Sequence, residues 1–432
     1  MSNSNINLNI NHKIKKYKRK LQNPIKTTKR NIYKKKINYY KKLLNKKYIG
    51  GAHEINYDIV LQIPKPFDPI KYKLNLDEKI AIKALGYSVM KHNKPLEPVI
   101  FERRVPRKYD VVIEILYSGI CHSDWHAIKG DSIFPLIPGH EMAGKIISVG
   151  DSVTEFKLGD KVGVGPIVDS CRQCGQCKQD HEQYCEYGAT WAYDSQERNP
   201  GDLEPHGLNI TYGGFSNIIT VDQNYVLKIP SHIKLDVVAP LLCAGITTYS
   251  PLKQMNIGPG YKVGVAGIGG LGHLAIKQAK ALEAEVVALT TTEWKLDDSL
   301  RIGADSSVLV TSKKQMKKHL NSFDLIIDTI PVVHDSNMYI DLLSNDGTLW
   351  ILGVFDIEKI DMNLILGENR IIRGSLIGGI EQTQEMLDFC SKHNIVADIE
   401  IIPFSYVNET YDRLKNSDVK YRFVIDVSTI YK

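Results

Sequence analysis

The stretch YKVGVAGIGGLGHLAIKQAKALEAEVVALT, Tyr261–Thr290, decides the fold. An apolar run climbs into a cluster of glycines. A segment with apolar residues at helical spacing follows, and EVVALT closes as a second apolar run. Strand, glycine turn, helix and strand in that order make a βαβ unit. Gly267, Gly269 and Gly272 stand in G-x-G-x-x-G register, with Gly270 and Leu271 completing the turn. Alone, that pattern is weak; between a strand and a helix it is a dinucleotide fingerprint. The glycines allow a tight turn and close backbone approach, and the helix N-terminus faces the pyrophosphate.

The end of the second strand chooses between cofactors. An NAD site places an acid there to hold the ribose 2′-hydroxyl. Here the residues are Thr290, Thr291 and Thr292, with Lys295 close behind. Hydroxyl donors and a cation suit a 2′-phosphate, which reads as NADP(H). The competing reading leaves Lys295 as a solvated helix residue and gives the acid's task to Glu293.

Working outward, a polar helix, SVLV, FDLIIDTI and GTLWILG continue the alternation. This is a doubly wound parallel sheet over about residues 244–379. Upstream, DVVIEILYSG (Asp110–Gly119) alternates apolar and polar residues at period two, and turns such as VGDSV and LGDKV cut further short strands. Residues 79–243 therefore read as a mainly β body that begins near Ile80. Residues 380–432 hold one helix and two strand-like runs, DIEIIPF and YRFVIDV, without a glycine opening; they are expected to return to the β body.

Composition bounds the rest. The chain has 432 residues, 43% hydrophobic and 24% charged, ordinary values for a soluble protein of two domains. No apolar run is long enough to span a membrane, and no apolar core follows the basic N-terminus. The net charge of +6 is an average of two unlike parts. Residues 1–50 hold sixteen of the 55 Lys and Arg and none of the 49 Asp and Glu, so the remainder carries 39 basic against 49 acidic residues. The tail reads either as a solvated extension or as an arm for nucleic acid or an anionic surface. A mitochondrial presequence fits less well, because those favour Arg and Ser over Lys and Asn. Residues 51–78, with PKPFDP as a breaker cluster, read as linker, and the expected location is cytoplasmic.

Four of the seven cysteines lie in DSCRQCGQCKQDHEQYC, Asp169–Cys185. Cys171, Cys174, Cys177 and Cys185 are spaced C-x2-C-x2-C-x7-C. Without a secretion signal, disulfides are implausible, and four thiolates closing a tetrahedron make a structural zinc site. Three more segments carry ligand types: SGICHSDWH with Cys121, PGHEMAG with His140 and Glu141, and PLLCAGITTYS with Cys243. Singly, a Cys is most often a small core residue. Together they offer two thiolates and an imidazole, the ligand set of a catalytic zinc with its fourth position open.

GICHSDWH, PGHE, CRQCGQC…EQYC, PLLCAGITTYSPL, GIGGLGHLAIK and YRFVIDV, in that order over about residues 80–432, resemble the zinc-dependent medium-chain alcohol dehydrogenases, in particular the cinnamyl-alcohol-dehydrogenase-like branch. The resemblance implies a GroES-like β domain holding two zinc ions, a Rossmann domain, a homodimer, and a small alcohol or aldehyde substrate in the cleft between the domains. It implies that Cys121, His140 and Cys243 hold the catalytic zinc, that Glu141 is a neighbour or exchangeable ligand, and that Asp124 orients the set. Ser123 matches the relay hydroxyl; His126 and Asp131 match the positions that pass the proton to solvent. Ala127 and Ser132 depart from the branch's usual residues, which leaves substrate identity open. Two other readings stand beside this one: a non-catalytic NADPH-binding or nucleic-acid-associated protein, and an NAD-linked polyol dehydrogenase. An intact ligand set opposes the first and the threonine run opposes the second.

Overall fold

The computed structural model describes Lys65–Pro66 and residues 81–431, apart from 206, 208, 357 and 358. The basic segment 1–50 lies outside the described residues. Within the expected linker, Lys65–Pro66 instead forms a two-residue strand, antiparallel to Val99 and Ile100. It sits at a sheet edge, the one place in a sheet where a proline costs no ladder bond.

The β body begins with Ile82–Val89 and Leu96–Arg103, an antiparallel pair. Its larger sheet has seven strands, with Asp110–Gly119 at the centre. That strand pairs antiparallel with Met142–Val149, Ile218–Asp222 and Arg422–Asp426. Neighbours on so many sides bury seven of its ten residues and leave only Glu114, Leu116 and Tyr117 partly open. The expected period-two exposure is therefore muted by cover on both faces. Arg422–Asp426 is itself parallel to Ile399–Pro403, so the two C-terminal runs complete this sheet. Their register sets Val424 opposite Gly119, two residues before Cys121.

The second sheet has six parallel strands, ordered Ser306–Leu309, Glu285–Thr290, Lys262–Ala266, Phe323–Asp328, Leu343–Ile351, Ile371–Gly374. Apolar side chains fill both faces. Val263, Val265, Ala275 and Ile276 pack on one side, and Val287, Leu289, Ile326 and Ile340 on the other. Sheets covered on both faces are the doubly wound arrangement expected from the alternating pattern.

Between the two sheets runs a helix that periodicity does not reveal, Ala244–Gln254. Nine of its eleven residues are buried. It packs on the helix Gly272–Ala281, where the Thr248 hydroxyl donates to Gln278 Oε1 at 2.7 Å. Among the described residues no single helix is long and apolar enough to cross a membrane.

Candidate active site

The cysteine lobe folds as expected from its spacing. The four sulfurs of Cys171, Cys174, Cys177 and Cys185 lie within 4.8 Å of one another, all buried. All are free thiols. Backbone N–H groups of Cys171, Gln173, Cys174 and Cys177 point at the sulfurs from 3.3–3.5 Å, which favours thiolates. Four such sulfurs, with the Ser170 hydroxyl 3.2 Å from Cys177 Sγ, fit a structural zinc. The lobe also supports its surroundings. Asp180 caps the helix Ile380–Lys392, accepting from the backbone of Glu381 and Gln382 at 2.7 Å each. Ser170 beside it accepts from the Tyr225 hydroxyl at 2.7 Å.

The second set converges from three separate segments. Ligand atoms of Cys121, His140, Glu141 and Cys243 all lie within 4.8 Å of one another. Cys121 is the N-cap of the helix His122–Lys129, and Cys243 that of Ala244–Gln254. Asp124, at the third helical position, ties the set together. Its carboxylate accepts from Cys121 N and Gly139 N, both at 2.9 Å, and from His140 Nδ1 at 3.0 Å. With the Nδ1 proton held there, His140 Nε2 keeps a free lone pair, 3.3 Å from Cys243 Sγ. Soft thiolates beside an imidazole fit zinc. The Tyr193 ring lies 5.8 Å from that of His140. Burial, then Asp124 and Cys121, push its hydroxyl well above the ordinary tyrosine range.

Sequence reasoning missed Arg422, which joins this cluster to the cofactor loop. Its guanidinium donates to Glu141 Oε1 in a fully buried ion pair. Burial pushes the Glu141 carboxyl up to about 7, against the pull of Arg422. The other carboxylate oxygen, Glu141 Oε2, has no hydrogen-bond partner among the described residues. The same arginine covers the glycine turn: a Cβ at Gly270 would meet its Cδ at 2.7 Å and Nη1 at 3.0 Å. YRFVIDV carried the signal, since a cation inside an apolar strand needs a buried partner.

The turn has the geometry that the fingerprint requires. Gly267 has φ +83°, and a Cβ at Gly272 would collide with the Gly267 carbonyl. Gly269 faces open space, where a cofactor backbone could approach. His273 braces the turn from behind. Its Nε2 accepts from Asp398 N at 3.2 Å, so Nδ1 carries the proton and donates to the Gly269 carbonyl at 3.0 Å. Burial, with Lys277 nearby, pushes this imidazole down to about 3.

At the end of Glu285–Thr290, Thr290 is buried and its hydroxyl accepts from Thr292 N at 3.1 Å. Thr291 is exposed, and Lys295 N caps back on the Thr292 carbonyl at 3.1 Å. No carboxylate side chain forms an ion pair with Lys295 among the described residues. This fits a phosphate better than a ribose diol. The proton-relay residues are less assembled. Ser123 Oγ is 3.6 Å from Cys121 Sγ, while His126 and Asp131 are exposed, and no hydrogen bond joins Ser123 to His126.

Comparison with known proteins agrees with this geometry. The alcohol dehydrogenase GroES-like domain matches residues 107–231, and the zinc-binding dehydrogenase domain matches residues 270–392. A probable zinc-type alcohol dehydrogenase-like protein of Acanthamoeba polyphaga mimivirus is 43% identical over 97% of this chain and 99% of its own. An aldehyde reductase of Escherichia coli is 48% identical over 81% of this chain and 99% of its own. At 97% coverage the first match must include most of the basic extension. The solved structure of a CAD (cinnamyl alcohol dehydrogenase) from Helicobacter pylori complexed with NADP(H) superposes with TM-score 0.74, at 40% identity, over 81% of this chain and 99% of that one. The chain belongs to the zinc-dependent medium-chain alcohol dehydrogenases, in their cinnamyl-alcohol-dehydrogenase-like branch.

Proposed function

We propose that Cys121, His140 and Cys243 hold the catalytic zinc, with Glu141 as its neighbour, and that Cys171, Cys174, Cys177 and Cys185 hold the structural one. Gly267, Gly269, Gly270, Leu271 and Gly272 receive the pyrophosphate of NADP(H), and Thr290, Thr291, Thr292 and Lys295 its 2′-phosphate. The family's reaction, interconversion of an alcohol and its aldehyde with NADP(H), is the reaction of this chain. One observation carries the assignment of residues: Arg422 touches both Glu141 and the glycine turn, so the thiolate–imidazole cluster and the cofactor turn share one cleft.

When bound, zinc supplies Lewis acidity and NADP(H) supplies or accepts the hydride. The chain does the remainder. Asp124 fixes the His140 tautomer and the cap geometry of Cys121. Arg422 balances Glu141, so the buried set is not left with uncompensated negative charge. Ser123 holds the transferred proton at Oγ, and the exposed imidazole of His126 hands it to solvent, with Asp131 at the outer end. The test is Lys295→Ala. It is expected to raise KM for NADPH roughly ten- to a hundredfold, about 1.5–3 kcal/mol for a charge-assisted phosphate contact, and to leave KM for NADH nearly unchanged. A wild-type preference for NADH would overturn the NADP(H) reading.

Domain boundaries at 79–243, 244–379 and 380–432 follow from this reading. A cytoplasmic location suits seven free cysteines. The assembly proposed is a homodimer through the edge strand Ile371–Gly374, whose four residues are all exposed, with Leu376 exposed beside it. The tail 1–50 is proposed as an appendage to the enzyme body, either a solvated extension or an arm for nucleic acid or an anionic surface. Sedimentation and kinetics of full-length and 1–50-deleted protein check both statements: a dimer mass for each, and an unchanged kcat. A monomer, or a several-fold loss of kcat on deletion, contradicts them.

A further inference from the structure

The 2′-phosphate has so far been given to one stretch of chain, Thr290–Lys295. A second stretch reaches the same place. Lys420, two residues before Arg422, brings its Nζ to 4.6 Å from the Trp294 ring centroid. Lys295 Nζ lies 5.4 Å from the same ring. Two ammonium groups thus sit against one half-open indole, and the charge of Asp298 acts on both. The nearest carboxylate, Asp298, is 3.4 Å from Lys420 but already takes Arg301 at 2.8 Å and the Tyr421 hydroxyl. Asp398 answers Arg301 at 3.2 Å and Lys277 at 2.5 Å, so two carboxylates stand among four cations, a few residues along the chain from the threonines at the strand end. A dianionic group placed there balances the excess positive charge; a neutral ribose does not.

We infer that Lys420 is a second cation of the 2′-phosphate site, and that the Trp294 indole holds Lys295 and Lys420 together on that one anion. The inference rests on the NADP(H) reading. It also ties cofactor choice to the C-terminal segment. Tyr421, next to Lys420, stacks on His273 behind the glycine turn, with ring centroids 5.0 Å apart, and Arg422 follows at the metal cluster.

The test is calorimetric binding of NADPH, NADH, 2′-AMP and 5′-AMP to the full-length zinc-loaded protein, as wild type, Lys420→Met and Lys420→Arg. Lys420→Met is expected to weaken NADPH and 2′-AMP about tenfold and to leave NADH and 5′-AMP within about twofold. Lys420→Arg is expected to restore most of the loss. Lys420 is exposed, so melting temperatures of the three proteins should agree. If Lys420→Met weakens all four ligands equally, or none, the residue is a structural anchor or a bystander and the inference falls alone. If wild type binds NADH as tightly as NADPH, the NADP(H) reading falls and takes this inference with it.

Discussion

Cys243→Ser protein is expected to fold, to keep one zinc ion per chain, and to lose at least about a thousandfold in kcat, roughly 4 kcal/mol of transition-state stabilisation. The substitution is chosen for what it leaves in place. Cys243 caps the helix Ala244–Gln254, and its backbone carbonyl accepts from Thr247 N at 3.0 Å and from the Thr247 hydroxyl at 2.7 Å. Serine preserves those bonds and nearly the same volume. It removes the soft sulfur 3.3 Å from His140 Nε2 and offers a protonated hydroxyl, a poor ligand for zinc. Elemental analysis, initial rates and a melting curve together read the result. A variant retaining a tenth of wild-type kcat would remove Cys243 from the ligand set. A large drop in melting temperature would make it a structural residue instead.

Loss of the other zinc should look different. Cys174→Ser is expected to bind one zinc ion per chain and to melt roughly 10 °C or more below wild type, because structural sites contribute folding energy directly. Three mutually repelling sulfurs would remain in a buried lobe whose Asp180 caps Ile380–Lys392 and whose Ser170 holds Tyr225. Releasing the lobe therefore loosens a helix nearly two hundred residues away in sequence. Unchanged melting and two bound zinc ions would refute the structural assignment.

The contrast between these two sites explains what the sequence made legible. The cysteine lobe is local, seventeen residues with fixed spacing, so its chemistry could be read without a fold. The glycine turn was legible for a related reason, since strand, loop and helix follow one another directly. The ligand types of Cys121, His140 and Cys243 could be read from the sequence, but that their three segments meet, with Glu141 beside them, was carried only by the family resemblance. Arg422 stayed hidden because its partner Glu141 is 281 residues away and the contact exists only once two C-terminal strands join the β sheet. The helix Ala244–Gln254 stayed hidden because it is buried on every side, which erases helical periodicity. Lys65–Pro66 escaped because two residues, one a proline, carry no strand pattern. Lys420 carries no motif of its own, and only the fold sets it against Trp294.

A zinc-dependent reaction of NADPH with an aldehyde is what this protein is expected to catalyse. The most direct measurement is the rate of aldehyde-dependent NADPH oxidation by the full-length protein as purified, after chelation of its catalytic zinc, and after zinc is returned. The expected result is turnover across an aldehyde panel, loss of that turnover on chelation, recovery on reconstitution, and a kcat/KM with NADPH at least about tenfold above that with NADH. Protein that carries two zinc ions yet oxidises neither cofactor with any aldehyde, or whose turnover survives removal of the catalytic zinc, would contradict it.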